Sequence, residues 1–157
     1  MKSCFITILL ILLIAINLAF IWCNSLLDQT QSGQVSSEVT EVIRPILEPI
    51  IGEDNYSGGI VRKLAHFVEF GVLGGLLSLL MNRLHLTRGL SRLLLLPYLL
   101  TSGLLAAMID ETIQIYTNRG SQVLDVWLDF SGVIVGFALT HAVTIAILTI
   151  IRKKKQI

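Results

Sequence analysis

Residues 93–114, LLLLPYLLTSGLLAAMIDETIQ, decide what kind of fold this chain can have. Leu93 to Ile109 carry no charged side chain, and Asp110, Glu111 and Gln114 follow at once. A bilayer-crossing helix needs about 17–25 predominantly apolar residues, and this run reaches that range. Pro97 would break a soluble helix, but membrane helices tolerate proline where neighbours satisfy the freed carbonyl. An acidic side chain at membrane depth costs roughly 2.5–3.5 kcal/mol on insertion scales, so Asp110 and Glu111 count as functional candidates by default.

Three more runs of the same kind flank this one. The sequence predicts an all-α, polytopic membrane protein with spans at 4–23, 62–81, 93–110 and 129–151, in a single membrane domain covering 1–157. Composition agrees: 54% of residues are hydrophobic and 15% charged, against about 25% charged in soluble domains. The lipid bilayer is therefore the expected partner. No basic patch points to nucleic acid.

The first run, CFITILLILLIAINLAFIWC, competes with a cleaved signal peptide. A signal peptide's apolar region is typically about 7–15 residues with a small-residue cleavage site after it. This run is longer and ends on Phe20, Ile21 and Trp22, so an uncleaved span is expected, with Trp22 as an interfacial anchor. Cys4 and Cys23 lie at its two ends. Roughly 28 Å of helix would separate them, too far for a disulfide.

Residues 24–61 form the predicted external loop. Val35, Val39, Val42, Ile43, Ile46 and Ile50 recur there at helical spacing between Glu38, Glu41 and Glu48. They describe an amphipathic segment lying on the membrane or capping the bundle. A linker whose apolar residues pack on helix ends fits equally. Pro45 and Pro49 are expected to break or kink its later part.

Charge then orients the spans. Lys2, Arg83, Arg88, Arg92 and the run Arg152 to Lys155 fall on one side with no acidic residue. The other side holds Arg44, Arg62, Lys63 and Arg119 with all eleven Asp and Glu. Positive-inside bias makes both termini cytoplasmic. It also brings Lys63–Glu69, Asp110–Gln114 and Asp125–Asp129 to one outer face.

Helical phase sharpens that grouping. Gly103, Ala107, Asp110 and Gln114 share one face of the third span; Asp125, Asp129, Gly132, Gly136 and Thr140 share one of the fourth. Small residues four apart let helices approach closely in lipid, so these two faces are expected to pack together. Lys63, His66 and Glu69 line one side of the second span, with Gly71 and Gly75 nearer the other.

Three chemistries suit the group: a hard divalent cation on oxygen ligands, acid/base work on an envelope lipid, or an anion gripped by Lys63 and Arg119. Candidate catalytic residues are His66, Glu69, Asp110 and Glu111. Candidate ligand-binding residues are Lys63, His66, Gln114, Arg119, Asp125 and Asp129. No spacing singles out a metal or cofactor. A bland account also exists for each: His66 and Glu69 as a helical pair, the acids at the membrane interface, and the whole cluster as glue between helices.

The motifs Lys63-x-x-His66-x-x-x-Phe70-x-x-Leu73-Gly74, Asp110-Glu111-x-x-Gln114, Arg119-Gly120-Ser121, Asp125 and Asp129-x-x-Gly132-x-x-x-Gly136 resemble those of the VanZ-like family of bacterial integral membrane proteins. The resemblance covers roughly 60–140. It implies a multi-pass protein of the bacterial cell membrane, in a family whose name-giving member is associated with lowered susceptibility to teicoplanin. Teicoplanin, unlike vancomycin, carries an acyl chain, so a lipid-linked or lipoglycopeptide ligand is the implied partner. Three readings follow. The first is an envelope protein that binds such a ligand and lowers glycopeptide susceptibility. The second is a membrane-embedded enzyme acting on a lipid headgroup or lipid-linked wall precursor, with Asp125 and Asp129 as candidate metal ligands. The third is a structural accessory subunit.

Overall fold

A computed structural model describes residues 2–27, 29–52, 57–120 and 122–154. The chain forms five helices: α1 (Lys2–Ser25), α2 (Gln29–Ile51), α3 (Gly58–Arg88), α4 (Arg92–Tyr116) and α5 (Val123–Lys154). Four of them, α1, α3, α4 and α5, are long and apolar enough to cross a membrane. The fold is all-α, as expected, with the amphipathic α2 between the first two membrane-length helices.

The predicted spans sit inside longer helices. α3 begins at Gly58, where the Ser57 side chain accepts a hydrogen bond from the Ile60 amide, and runs to Arg88. Gly89, at φ 66°, then caps it by donating its N–H to His85 O. The stretch from Arg83 to Arg88 is therefore helix, not hinge. The 110–129 link shrinks likewise, because α4 continues to Tyr116 and α5 already starts at Val123. Polar residues end a hydrophobic window without ending a helix.

Two proline expectations meet different outcomes. α4 runs unbroken across Pro97, as expected. α2 is also assigned as one helix through Pro45 and Pro49, against the expected break. Both prolines and Glu41 are exposed, so the carbonyls freed at Glu41 and Pro45 stay accessible to solvent. Arg44 Nε, 2.5 Å from Glu48 Oε2, ties one turn to the next across this stretch.

α3 and α5 make the most extensive seam of the bundle. It is a backbone-to-backbone approach. A methyl group on Gly74 would strike the Val133 carbonyl, one on Gly132 the Phe67 carbonyl, and one on Gly136 the Gly71 carbonyl. Gly71 itself has ordinary room, with 3.7 Å to Gly132 O. This corrects the expected pairing: the small face of α5 meets α3, not α4. Gly103 of α4 instead receives the side chain of Val133, where an added methyl would lie 2.7 Å from Cγ1. Lipid tails are as apolar as leucine, so tight van der Waals approach has to supply what the hydrophobic effect supplies in water.

The buried apolar core holds Phe70, Leu73, Leu77 and Met81 of α3, Ala106 and Ala107 of α4, Val133 and Phe137 of α5, and Ile21 of α1. Large apolar side chains also cover the outside, among them Phe5, Ile16, Leu93, Leu139 and Ile147. Such a surface would be untenable in water and is ordinary against lipid. The Trp22 ring packs on the core, and Nε1 donates a long 3.4 Å hydrogen bond to Ala106 O.

Candidate functional site

The C-terminal ends of α1 and α4 meet the N-terminal ends of α3 and α5, and nearly every ionisable candidate collects there. Asp110, Glu111, Gln114, Arg119 and Asp129 are all buried, at 5% exposure or less. His66 is mostly buried and Lys63 half-exposed. Groups this polar do not leave water without partners.

Asp110 is the most fully partnered. Ser25 Oγ donates to its Oδ1 at 2.7 Å and Gln114 Nε2 to its Oδ2 at 2.8 Å. Gln114 Nε2 also donates to Glu111 Oε1 at 3.0 Å, so one amide holds two carboxylates. His66 Nδ1 stands 3.5 Å from Asp110 Oδ2, too far for a good hydrogen bond but close enough for an electrostatic contact. Glu69 turns toward α1, where Asn24 Nδ2 donates to its Oε1 at 3.2 Å. Lys63 Nζ lies 2.8 Å from Asp125 Oδ1. That separation makes an ion pair, but the pair lacks hydrogen-bond alignment, so Asp125 Oδ1 gains attraction without a directed bond.

Arg119 reaches the cluster through the local backbone. Its N–H donates to Gln114 O at 3.0 Å, and the Asn118 N–H donates to Ile115 O at 3.2 Å. Asn118 has a φ of 55°. These are the 6→1 and 5→2 bonds of a Schellman cap with asparagine in the left-handed position, and they fold Arg119 back over the end of α4. Arg119 Nη1 then donates to Asn24 O at 2.7 Å. Burial, and next the nearby Arg62, lower the pKa of this guanidinium, while Asp110, Glu111 and Glu69 oppose the shift. An arginine stays protonated regardless, so Arg119 is a fixed positive charge among carboxylates.

A cavity of about 10 Å³ lies inside the cluster, lined by Arg62, Lys63, His66, Glu111, Gln114, Asp125, Leu128 and Asp129. That is room for about one water molecule or one ion. Among the described residues, α2 contributes no side chain to the cavity wall. A far larger groove of about 450 Å³ runs along the α3–α5 seam between Phe67 and Thr140, but its lining has no ionisable side chain. It is a lipid-facing furrow, and the chemistry lies at the small cavity.

Every candidate site residue therefore falls in one group: His66, Glu69, Asp110 and Glu111 with Lys63, Gln114, Arg119, Asp125 and Asp129. Sequence reasoning missed the α1 contribution, Asn24 and Ser25, and Thr117, whose Oγ1 donates to Ser25 O at 3.1 Å. It also passed over Arg62 as a lining residue. The signal for Asn24 and Ser25 was available: they end the first apolar run on the side where the other candidates gather.

These observations define a class: a multi-pass α-helical membrane protein with four membrane-length helices and a charge-dense site buried at one end of the bundle. Residues 4–147 match the family model VanZ/LLP1, and the chain belongs to that family. The match reaches back through α1 and α2, beyond the 60–140 region where the motifs carried the resemblance. Comparison with curated proteins and with solved structures gave no significant match.

Proposed function

We propose that this chain is a protein of the bacterial cell membrane, with both termini cytoplasmic, that lowers susceptibility to glycopeptides such as teicoplanin by binding a polar group of an envelope ligand at the His66–Asp129 cluster. The carrying observation is the concentration of charge: five carboxylates, one imidazole and three cations meet where four helix ends converge. Holding helices together does not require such a group, since replacing buried ion pairs by apolar side chains is often neutral or stabilising. The cavity size adds a constraint. Only a small polar group fits inside, so the bulk of any lipid-linked or lipoglycopeptide ligand stays outside, toward lipid. Family membership supports the envelope role, and the Lys/Arg asymmetry supports the orientation.

The test is a deletion strain complemented with the intact gene, scored against teicoplanin and vancomycin. Several-fold lower inhibitory concentrations of teicoplanin on deletion, restored by complementation and weaker for vancomycin, are expected. An unchanged teicoplanin response contradicts the reading.

A second reading draws on the buried oxygens Glu69 Oε2 and Asp129 Oδ2, which have no hydrogen-bond partner. Such atoms suit proton transfer, with His66 and Glu69 or Asp110 as acid and base on a lipid headgroup. Turnover of an envelope lipid by purified protein, lost in Glu69→Gln, would establish it in place of simple binding.

A further inference from the structure

We propose that His66, Asp110 and Asp129 form a binding site for a divalent transition-metal cation of the zinc or manganese type. One donor atom from each, on α3, α4 and α5 respectively, lies within 4.8 Å of the other two. A tetrahedral ion at zinc-ligand distances would draw its donors to roughly 3.4 Å apart, so the approach needs only small side-chain movements.

A cluster of acids alone would not make a site. The independent observation is Asp129: it is 1% exposed, its Oδ2 has no hydrogen-bond partner, and it lines the ion-sized cavity. His66 Nδ1 also lacks a hydrogen-bond partner and lines the same cavity. A buried carboxylate oxygen and an imidazole nitrogen, neither of them hydrogen-bonded, on two residues that border a void of about one water, are what a bound cation would satisfy.

Charge balance points the same way. Among the described residues, Glu69, Asp110, Glu111, Asp125 and Asp129 bring five formal negative charges to this end of the bundle, and Arg62, Lys63 and Arg119 three positive ones. A dication makes up the difference. Asp110 is already hydrogen-bonded as ligating carboxylates usually are, with Ser25 donating to its Oδ1 and Gln114 to its Oδ2.

Donor type narrows the ion. One imidazole with two carboxylates suits zinc or manganese better than calcium or magnesium, which favour oxygen alone, or soft cuprous ion, which favours thiolates. Three protein donors would leave a coordination position open toward the cavity. This inference stands independently of the glycopeptide reading, because it concerns binding by the purified chain.

The experiment uses the full-length protein in detergent, stripped with chelator, reloaded with Zn²⁺ or Mn²⁺, desalted and analysed for metal content. About one ion per chain is expected for the natural sequence and for His141→Ala, a histidine outside the site. His66→Gln and Asp129→Asn should each cut retention at least about tenfold. Less than about a tenth of an ion per chain of the natural sequence with both metals, or retention in both variants equal to that of the natural sequence, overturns the proposal. Should either variant fail to fold, pulsed EPR of the natural protein loaded with Mn²⁺ decides. A ¹⁴N coupling from one imidazole is expected, and an all-oxygen spectrum overturns it.

Discussion

Among the described residues, one polar cluster is buried and charged and another is part-buried and neutral, and they are built differently. The first gathers His66, Asp110, Glu111, Arg119 and Asp129 where the helix ends meet. The second, further along α3 and α5, holds Ser78, Asn82 and His141. There Asn82 Nδ2 donates to Ser78 O at 2.9 Å and lies 3.2 Å from His141 Nδ1, and the imidazole stacks on Phe137 with ring centroids 6.3 Å apart. An amide and an imidazole are enough to link two helices in lipid, and such interhelical bonds are worth about 0.6–2 kcal/mol. The charged cluster exceeds that need. Both clusters leave buried oxygens without partners, Ser78 Oγ and Asn82 Oδ1 in the second and Asp129 Oδ2 and Glu69 Oε2 in the first, but those of the first belong to ionisable carboxyls, whose burial costs more and is kept mainly where function requires it.

The largest expected effect comes from Arg119→Met. It strips the buried carboxylates of a cation that is 5% exposed, and breaking such an arrangement typically costs about 3–5 kcal/mol. Thermal unfolding in detergent should show a large drop in midpoint; an unchanged midpoint would mean that the charges around it are not coupled.

Gly136→Leu at the α3–α5 seam should follow closely. Its side chain would meet the Gly71 carbonyl directly, and overpacking costs about 1–3 kcal/mol or more. Reduced membrane abundance is expected, whereas Gly71→Ala, with 3.7 Å of room, should accumulate normally.

Asn82→Leu probes the neutral cluster. A loss of about 1 kcal/mol is expected, with glycopeptide susceptibility unaffected apart from any change in abundance. A full loss of resistance at normal abundance would place function in the wrong cluster.

Asp129→Asn should have the smallest effect on stability, and in the opposite direction. In chelator-stripped protein, removing a buried negative charge with an unpartnered oxygen is expected to leave the unfolding midpoint unchanged or raise it by an amount equivalent to about 1 kcal/mol. A clear destabilisation would show that the carboxylate is structural.

Sequence alone carried the number of spans, because four apolar runs separated by polar residues leave little choice of solvent. It also carried which ionisable candidates gather at one end of the bundle: His66 and Asp110 stand in or at the edge of apolar runs, and Asp125 and Asp129 lead into one. It did not carry helix ends. Asp110 to Tyr116 and Val123 to Asp129 are polar enough to look like a link, yet their backbone bonds continue the helices. Helical phase gave the right face for Gly132 and Gly136 but not its neighbour, since phase fixes direction within a helix and says nothing of which helix lies opposite. Ser25 was legible only by position, at the end of the first apolar run on the side of the other candidates, because a serine ending a helix is commonplace; its 2.7 Å bond to Asp110 gives it meaning. The turn that returns Arg119 to the cluster depends on a left-handed asparagine, a backbone choice the residue type permits without requiring.

The central claim is that the charged cluster acts and does not merely hold helices together. The His66→Ala, Asp129→Asn double variant tests it most directly, with membrane abundance and teicoplanin susceptibility measured in the same cells. Abundance near that of the natural protein with resistance lost is the expected result. Abundance and resistance falling together, or resistance retained in full, would contradict it.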